Sequence, residues 1–326
     1  MRIAVDAMGG DDAPGAIVDG AVEAARELNV AVTLVGAEAA LAGALAHHDG
    51  WRHLPIEIVD APDVVGMADA PVSALRRLPR ASIRVAAEIV ARAGQGAVVS
   101  AGNTGATVMA AHAAFGMLSG VDRPALATVV PTRSNPAVLL DCGANVECRP
   151  QHLLQFAIMG TVHARLALGL ESPRVGLLSI GEEETKGNEL TREAHRLLKA
   201  APLNFIGNIE GREIYRGEAD VIVCDGFTGN IVLKTSEGLV EVVDDALGDA
   251  LRDVPAGRDA FERFRRRMDY SEYGGAPLLG VAGLVVVAHG RSSPRAMRNA
   301  IAMAARYAGG DFVSRVERDI AAATVS

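Results

Sequence analysis

The stretch Val98-Val99-Ser100-Ala101-Gly102-Asn103-Thr104-Gly105-Ala106-Thr107 joins a short apolar run to a turn of small and polar residues, and a helix-like run over 107–118 follows. A strand–turn–helix of this kind presents unpaired backbone N–H groups at the helix start, where negative charge is favoured. The pattern recurs along the chain. Apolar runs end at Asp6, Ser100, Asp141, Ile180, Asp225 and His289, each followed by a Gly-rich polar turn and then a helical run. Alternation of this kind predicts an α/β fold with a mainly parallel sheet. In an open α/β sheet ligands bind at the carboxyl ends of strands, so six such ends converging on one cleft point to an enzyme acting on a small molecule. Their spacing is irregular, which excludes internal repeats. Runs 125–130 and 137–140 lie close in sequence, and Pro131 and Pro136 bracket a hairpin connection between them. Some antiparallel pairing is therefore expected.

Composition narrows the class. Aromatic residues make up only 4% of the 326-residue chain, against 35 glycines, which suits tight-turned α/β architecture better than an aromatic-rich sandwich. That length can hold one large domain or two ordinary ones; a single domain over residues 1–326 is expected. A formal net charge of -8 argues against nucleic-acid binding. Cys142, Cys148 and Cys224 are odd in number and lack CxxC spacing, as in a reducing compartment. The N-terminus reads as a strand and no apolar run approaches the ~20 residues of a membrane span. A cytoplasmic protein is expected.

The turns differ in what they offer. In the run Gly181-Glu182-Glu183-Glu184-Thr185-Lys186-Gly187-Asn188 the lysine does not precede Ser or Thr, so it is no P-loop. The glutamates suit a helix start on dipole grounds alone. Lys186 is a lone cation beside a turn, able to hold phosphate or polarise a carbonyl. A metal site on Glu182–Glu184 is disfavoured because adjacent residues at a helix start point different ways. Asp225-Gly226-Phe227-Thr228-Gly229-Asn230 is either an Asx turn with a helix cap or a cluster of polar groups at a strand end. Asn103 and Thr104 carry the same ambiguity. The eight histidines show no ligand spacing; His289, at a strand end, is the one in a functional position. Cys142 and Cys224 end apolar runs, as buried inert thiols do. No GxGxxG follows a strand, which disfavours a Rossmann dinucleotide site. No metal or cofactor is called for.

Asp6-Ala7-Met8-Gly9-Gly10-Asp11 with Ala13-Pro14, the Ser100-to-Ala106 turn, the Gly181-to-Asn188 turn, the Asp225-to-Asn230 turn and Tyr273-Gly274-Gly275-Ala276 together resemble, in order, the signatures of the acyl-[acyl-carrier-protein]:phosphate acyltransferase family. The resemblance spans about residues 1–310. It implies a three-layer α/β/α fold like those of isopropylmalate dehydrogenase and phosphate acetyltransferase, and a homodimer. It implies transfer of a fatty acyl group from acyl-carrier protein to inorganic phosphate, giving acyl phosphate for phospholipid synthesis. A downstream glycerol-3-phosphate acyltransferase and the inner face of the membrane are further contacts it leaves open. The 248–257 segment is shorter and more polar than in family members that use this region at the membrane.

On this reading Lys186 and Asn230 are the candidate catalytic residues, one neutralising phosphate and the other donating to the oxyanion. Asp6, Gly9, Gly10, Ser100, Gly102, Asn103, Thr104, Gly105, Asn188, Asp225, Thr228 and His289 are candidates for holding phosphate or substrate. Phosphate brings its own nucleophilic oxygen, so no covalent acyl-enzyme is expected. Two rivals stand beside it: an isopropylmalate dehydrogenase-like oxidoreductase, which lacks the expected nicotinamide and metal features here, and a non-catalytic lipid-binding protein, which leaves the polar turns unexplained.

Residues 237–268 form the last feature. Leu239, Val243, Ala246, Leu247, Ala250 and Leu251 recur at helical spacing, Pro255-Ala256-Gly257 breaks the run, and Phe261, Phe264 and Met268 resume it. A protruding helical hairpin with an apolar seam is expected. Arg263, Arg265 and Arg266 on its second arm are a solvated face, a dock for an acidic carrier protein or a contact for anionic lipid.

Overall fold

The computed structural model describes residues 2–252, 257–268, 274–310 and 312–324. In chain order the elements begin with strand Arg2–Asp6 (β1), helix Gly15–Leu28 (α1), strand Ala31–Gly36 (β2), helix Glu38–Leu45 (α2), strand Ile56–Asp60 (β3), helices Pro71–Arg77 (α3) and Ser82–Ala93 (α4), strand Ala97–Ser100 (β4) and helix Thr104–Phe115 (α5). Short strands Ala125–Leu126 (β5), Thr128–Val130 (β6) and Ala137–Leu140 (β7) come next, then helix Pro150–Leu168 (α6), strand Val175–Leu178 (β8), helix Glu189–Ala200 (α7) and strands Phe205–Ile209 (β9) and Val221–Val223 (β10). Helices Gly226–Leu251 (α8) and Arg258–Met268 (α9), strands Ala276–Leu279 (β11) and Val285–Val287 (β12), and helices Pro294–Ala308 (α10) and Phe312–Thr324 (α11) complete the chain. Two compact units result, one from residues 1–124 and 273–325, the other from residues 125–272.

In the first unit the strand order is β3-β2-β1-β4-β12-β11, parallel except for the β11–β12 pair. Strands buried on both faces read as continuous apolar runs, and Ile3, Val5, Val98, Val99 and Val286 are all buried. The register sets Asp6 beside Ser100, and Ser100 beside Val287, so three strands finish at one level of the sheet edge. Helix α1 lies close on α10: a Cβ on Gly20 would overlap the Pro294 carbonyl oxygen.

In the second unit the order is β6-β7-β10-β8-β9, with β7, β10, β8 and β9 parallel. The expected hairpin is present, as β6 pairs antiparallel with β7. The mainly parallel character thus holds, but in two sheets rather than one. The six strand ends divide equally: β1, β4 and β12 in the first sheet, β7, β8 and β10 in the second.

Two helices start earlier than their sequences imply. Helix α5 begins at Thr104 because Asn103 caps it, its side chain accepting from the Ala106 amide. Helix α8 begins at Gly226 because Asp225 caps it in the same way through the Thr228 amide. The hairpin's first arm is therefore the whole of α8, and Pro255 and Ala256 of the break lie outside the described residues. Arg265 on α9 bonds Asp244 on α8 at 3.1 Å, and Phe261 stands beside Gly248. Among the described residues no helix is long and apolar enough to cross a membrane.

Candidate active site

In the first unit the site grows from a buried carboxylate. Asp6 closes β1, and Ser100, closing β4, donates its hydroxyl to Asp6 Oδ2 at 2.7 Å. The Gly102 amide donates to Ser100 Oγ at 3.1 Å, and the Met8 amide to Asp6 Oδ1 at 3.4 Å. Burial pushes the Asp6 carboxyl above the usual aspartate range, against hydrogen bonds from Ser82, Ser100, Met8 and Gly9. The turns after β1 and β4 touch backbone to backbone, since a Cβ on Gly9 would lie 2.7 Å from Gly102 N and Cα. The turn after β12 joins them through the Asp11 amide, which donates to the Gly290 carbonyl at 2.8 Å. Gly10 in this contact has φ +114°, a conformation natural to glycine. Asp6, Gly9, Gly10, Ser100 and Gly102 are thus brought together as one cluster. His289 stands at the same sheet edge, its Nδ1 accepting from the Arg291 amide at 3.2 Å.

Asn103 has a second task besides its cap. Its Nδ2 donates to the carbonyls of Gly66, Met67 and Asp69 at 3.1–3.2 Å, tying the 66–69 loop to the helix start. Gly105 is pressed by Pro71, whose Cγ would lie 2.6 Å from a Cβ there. The Asn103 side chain is therefore committed to the loop, and Pro71 leaves no room for a side chain at 105. The backbone N–H groups of Asn103, Thr104 and Gly105 have no acceptor among the described residues. Three such donors at a helix start form a cradle for an anion.

The second unit repeats the device. Asp141 closes β7, fully buried, and accepts from five donors: the amides of Leu126 (2.9 Å), Gly143 (3.2 Å), Ala144 (3.1 Å) and Asn145 (2.7 Å), and Asn145 Nδ2 (2.8 Å). Burial again pushes its carboxyl up, and these bonds oppose the shift. The Asn145 carbonyl in turn accepts from the Gly226 amide at 2.8 Å, and a Cβ on Gly229 would overlap the Asp141 carbonyl oxygen. These contacts fix the start of α8. There Asp225 accepts from the Thr228 amide at 2.8 Å and the Thr228 hydroxyl at 2.9 Å. Asn230, one turn on, is exposed and lies against Gly143, which has φ +124°.

The turn after β8 carries the cation. Lys186 is exposed, its amide donates to the Glu183 carbonyl at 2.9 Å, and its side chain folds over Gly181. It makes no ion pair among the described residues. The neighbouring acids have other partners: Lys199 hydrogen-bonds Glu184 and holds its carboxyl below the usual range, while Glu213 beside Glu182 pushes that carboxyl up. Asn188 caps α7, accepting from the Thr191 amide at 2.9 Å.

Two parts of this arrangement escape sequence reading. Asp141 and Asn145 read as turn punctuation, although Asp141 stands at a strand end as Asp6 does. Ser179, at the end of β8, has a buried hydroxyl without a partner among the described residues, beneath Gly187. Its strand-end position, like that of Ser100, was the available signal. Cys142 and Cys224 are buried and free, and burial pushes both thiols well up, so neither is poised as a nucleophile. Of the α9 arginines, Arg265 pairs with Asp244 and Glu262, Arg263 is exposed, and the Arg266 side chain lies outside the described residues.

The sequence model of a family described as "Fatty acid synthesis protein" matches residues 1–315. A phosphate acyltransferase of Geobacter sulfurreducens is 50% identical over 318 residues, covering 94% of this chain and 90% of that protein. The chain belongs to the phosphate acyltransferase family. A second relative, the phosphate acyltransferase of Heliobacterium modesticaldum, is 46% identical over 327 residues, 98% of each chain. The protein is accordingly an acyltransferase. Its fold is shared with a phosphotransacetylase from Streptococcus pyogenes (TM-score 0.65, 18% identity, 94% of each chain) and the EutD phosphotransacetylase from Staphylococcus aureus (TM-score 0.61, 16% identity, 94% of each chain).

Proposed function

We propose that this phosphate acyltransferase takes a fatty acyl group from acyl-carrier protein and gives it to inorganic phosphate, supplying acyl phosphate for phosphatidic acid synthesis. Family membership over nearly the whole chain carries the reading. A phosphate oxygen attacks the thioester carbonyl, the C–O bond forms, the C–S bond breaks, and the carrier leaves as thiolate. A thiol of ordinary pKa, about 8.5, is a good leaving group, so no strong acid is required. What is required is a place for a dianion, donors for the developing oxyanion, and alignment. In the first unit the open N–H groups at Asn103, Thr104 and Gly105 suit an anion. In the second, Lys186 supplies a cation with no ion pair among the described residues and Asn230 an exposed amide donor, and Asp225, Thr228 and Asn188 hold the helix starts in place. No cofactor enters this scheme. A homodimer in the cytoplasm, acting as one functional domain and meeting the carrier through Arg263, Arg265 and Arg266, completes the proposal.

Purified protein incubated with palmitoyl-carrier protein and phosphate tests the reading. Free carrier thiol and a hydroxylamine-trappable acyl phosphate are expected in equal amounts, with both dependent on phosphate. Thiol release that is independent of phosphate makes the protein a thioesterase and overturns it.

A further inference from the structure

The turn that carries Lys186 is tied to a buried polar chain that the reaction scheme leaves unused. Helix α7 buries Ala194, His195 and Leu198, and His195 is the polar exception on that face. Strand β9 buries Asn208. His195 Nδ1 and Asn208 Oδ1 are 2.9 Å apart, and Asn208 Nδ2 donates to the Glu183 carbonyl at 2.9 Å. We propose that His195 and Asn208 are positioning residues for acyl transfer, fixing the 181–188 turn so that the Lys186 ammonium stays aimed at phosphate. The inference rests on the role given to Lys186 above and adds what holds that lysine in place.

Three observations carry it. The first is direction. A carbonyl can only accept, so Asn208 turns its NH2 toward Glu183 and its Oδ1 toward His195. His195 therefore carries a proton on Nδ1 and donates it to Asn208. The chain runs one way, from α7 through β9 to the turn. It ends on the same Glu183 carbonyl that accepts from the Lys186 amide at 2.9 Å.

The second is that Lys186 lies between two fixed points. Before it, Glu183 is tied through its carbonyl and Glu184 through its carboxylate, which Lys199 bonds and His195 Nε2 approaches at 3.6 Å. After it, Gly187 has φ +95° and no room for a side chain between Thr191 Oγ1 and Ser179 Oγ, and Asn188 caps α7. Lys186 makes no ion pair among the described residues, so the backbone beneath it sets its place.

The third is cost. A buried imidazole and a buried amide disfavour the fold unless their polar atoms are matched. The Phe205 ring already packs edge-on against His195, with centroids 5.0 Å apart, so apolar neighbours are at hand. What the polar pair does that an apolar pair could not is reach the Glu183 carbonyl.

The experiment uses three variants of the full chain. Asn208→Asp keeps the size and the acceptor for His195 but sets a carboxylate oxygen against the Glu183 carbonyl. His195→Phe removes the donor, and His195→Asn keeps an N–H near the Nδ1 position. Loss of one net hydrogen bond should speed amide exchange at 184–187 by about two- to tenfold in Asn208→Asp, with exchange in β8 as in wild type. A shift of the turn approaching 1 Å costs about 10²-fold, so kcat should fall by roughly 10- to 10²-fold in Asn208→Asp and His195→Phe. His195→Asn should recover most of that loss. A double-mutant cycle decides the route: in a Lys186→Ala background, Asn208→Asp should lower kcat no further. Equal fractional losses with and without the lysine overturn the inference, because the pair then serves the fold at large. Wild-type exchange at 184–187 in Asn208→Asp overturns it too, even where Lys186→Ala is slow. If Lys186→Ala keeps near-native kcat, the role of Lys186 falls; faster exchange at 184–187 then still upholds the network as what fixes the turn, and unchanged exchange overturns both.

Discussion

Gly9→Ala isolates the contact between the first two turns. Gly9 does not have a positive φ, so the substitution is a question of space alone. Its new methyl would lie 2.7 Å from Gly102 N, Gly102 Cα and Asp6 Oδ2. Two of these atoms are backbone, and the third is held by the Ser100 hydroxyl, so no flexible side chain can swing aside. The β1–β4 pairing at Asp6 and Ser100 anchors both turns from below. Relief must therefore come from parting the turns by several tenths of an ångström. Overpacking of this kind costs about 1–3 kcal/mol, which for a unit of this size lowers Tm by roughly 2–10 °C. Displacing the Gly102–Gly105 backbone also misplaces the N–H groups assigned to the anion. A misplacement approaching 1 Å is worth about 10²-fold in rate, so a fall of roughly 10- to 10²-fold in kcat/KM for phosphate is expected. Gly15→Ala is the control: its Cβ meets nothing within 4 Å, and it opens α1. It should raise stability by about 0.4–1 kcal/mol through the unfolded chain and leave kcat/KM unchanged. Thermal unfolding and phosphate titrations on both variants decide the matter. A Gly9→Ala protein with the Tm and phosphate dependence of wild type would refute the contact and the anion assignment together.

Lys186→Ala should lower kcat by about 10²-fold without altering the circular dichroism spectrum, because an exposed lysine with no ion pair among the described residues contributes charge rather than fold stability; near-native kcat removes it from the chemistry. Replacing Cys142, Cys148 and Cys224 together with Ala should leave turnover within the range set by stability, and mass spectrometry of wild type during turnover should show no acyl group on any cysteine. Asp220 supplies a pH dependence of known sign. Burial alone would raise its carboxyl, but the bidentate Arg174 guanidinium at 2.9 Å and the Arg174 amide hold it below the usual range. A depressed folded pKa gives stability that is present at neutral pH and lost as pH falls below the ordinary aspartate range. Asp220→Asn should therefore lower neutral stability by roughly 1.5–3 kcal/mol and flatten the acid limb of the stability profile, as measured by urea midpoints between pH 7 and 3.

Strand ends were legible because a period-free apolar run stops where polarity and glycine begin. Asp6, Ser100 and Asp141 are all placed at or beside the ends of their strands. Helix starts were less so. Gly226 and Gly229 read as turn residues, yet both sit inside α8, where Asn145 and Asp141 leave no room for a side chain. Glycine there serves close packing rather than a turn, and the local pattern does not distinguish the two. Sheet membership was not legible at all. Which strands adjoin depends on pairing across long separations, as when β12 inserts beside β4, and alternation of strand and helix is the same for one sheet or two. Asp225 and Asn188 illustrate the ambiguity within the site: Asp225 was a candidate ligand or a cap and Asn188 a candidate ligand, and the geometry uses the side chain of each as a cap.

The two buried aspartates look alike in sequence but should respond oppositely to the same change. Asp6 faces two hydroxyls, those of Ser82 and Ser100, beside the Met8 and Gly9 amides, and a hydroxyl can either donate or accept. In Asp6→Asn the new amide can donate to Ser100 Oγ while its carbonyl keeps the Met8 and Gly9 amides, so the network survives with its polarity reversed at the hydroxyl. Removing a buried charge whose pKa burial has already raised offsets part of any loss. A change within about 1 kcal/mol is expected. Asp141 has no such escape. Its Oδ1 accepts from three backbone amides and its Oδ2 from an amide and from Asn145 Nδ2. An asparagine must turn its own NH2 toward N–H donors on one side or the other. At least two buried donors lose their acceptor, at about 1–3 kcal/mol each, and the loop that anchors α8 through Asn145 and Gly226 loosens. Asp141→Asn should therefore cost roughly 2–6 kcal/mol and speed hydrogen exchange at the 143–145 amides, while Asp6→Asn leaves exchange in its own turn near the wild-type rate. Trp51, the single tryptophan, lies in the first unit and reports that unit's unfolding separately. Comparable losses in the two variants, or protected 143–145 amides in Asp141→Asn, would show that the all-donor surroundings of Asp141 do not set the stability of that turn.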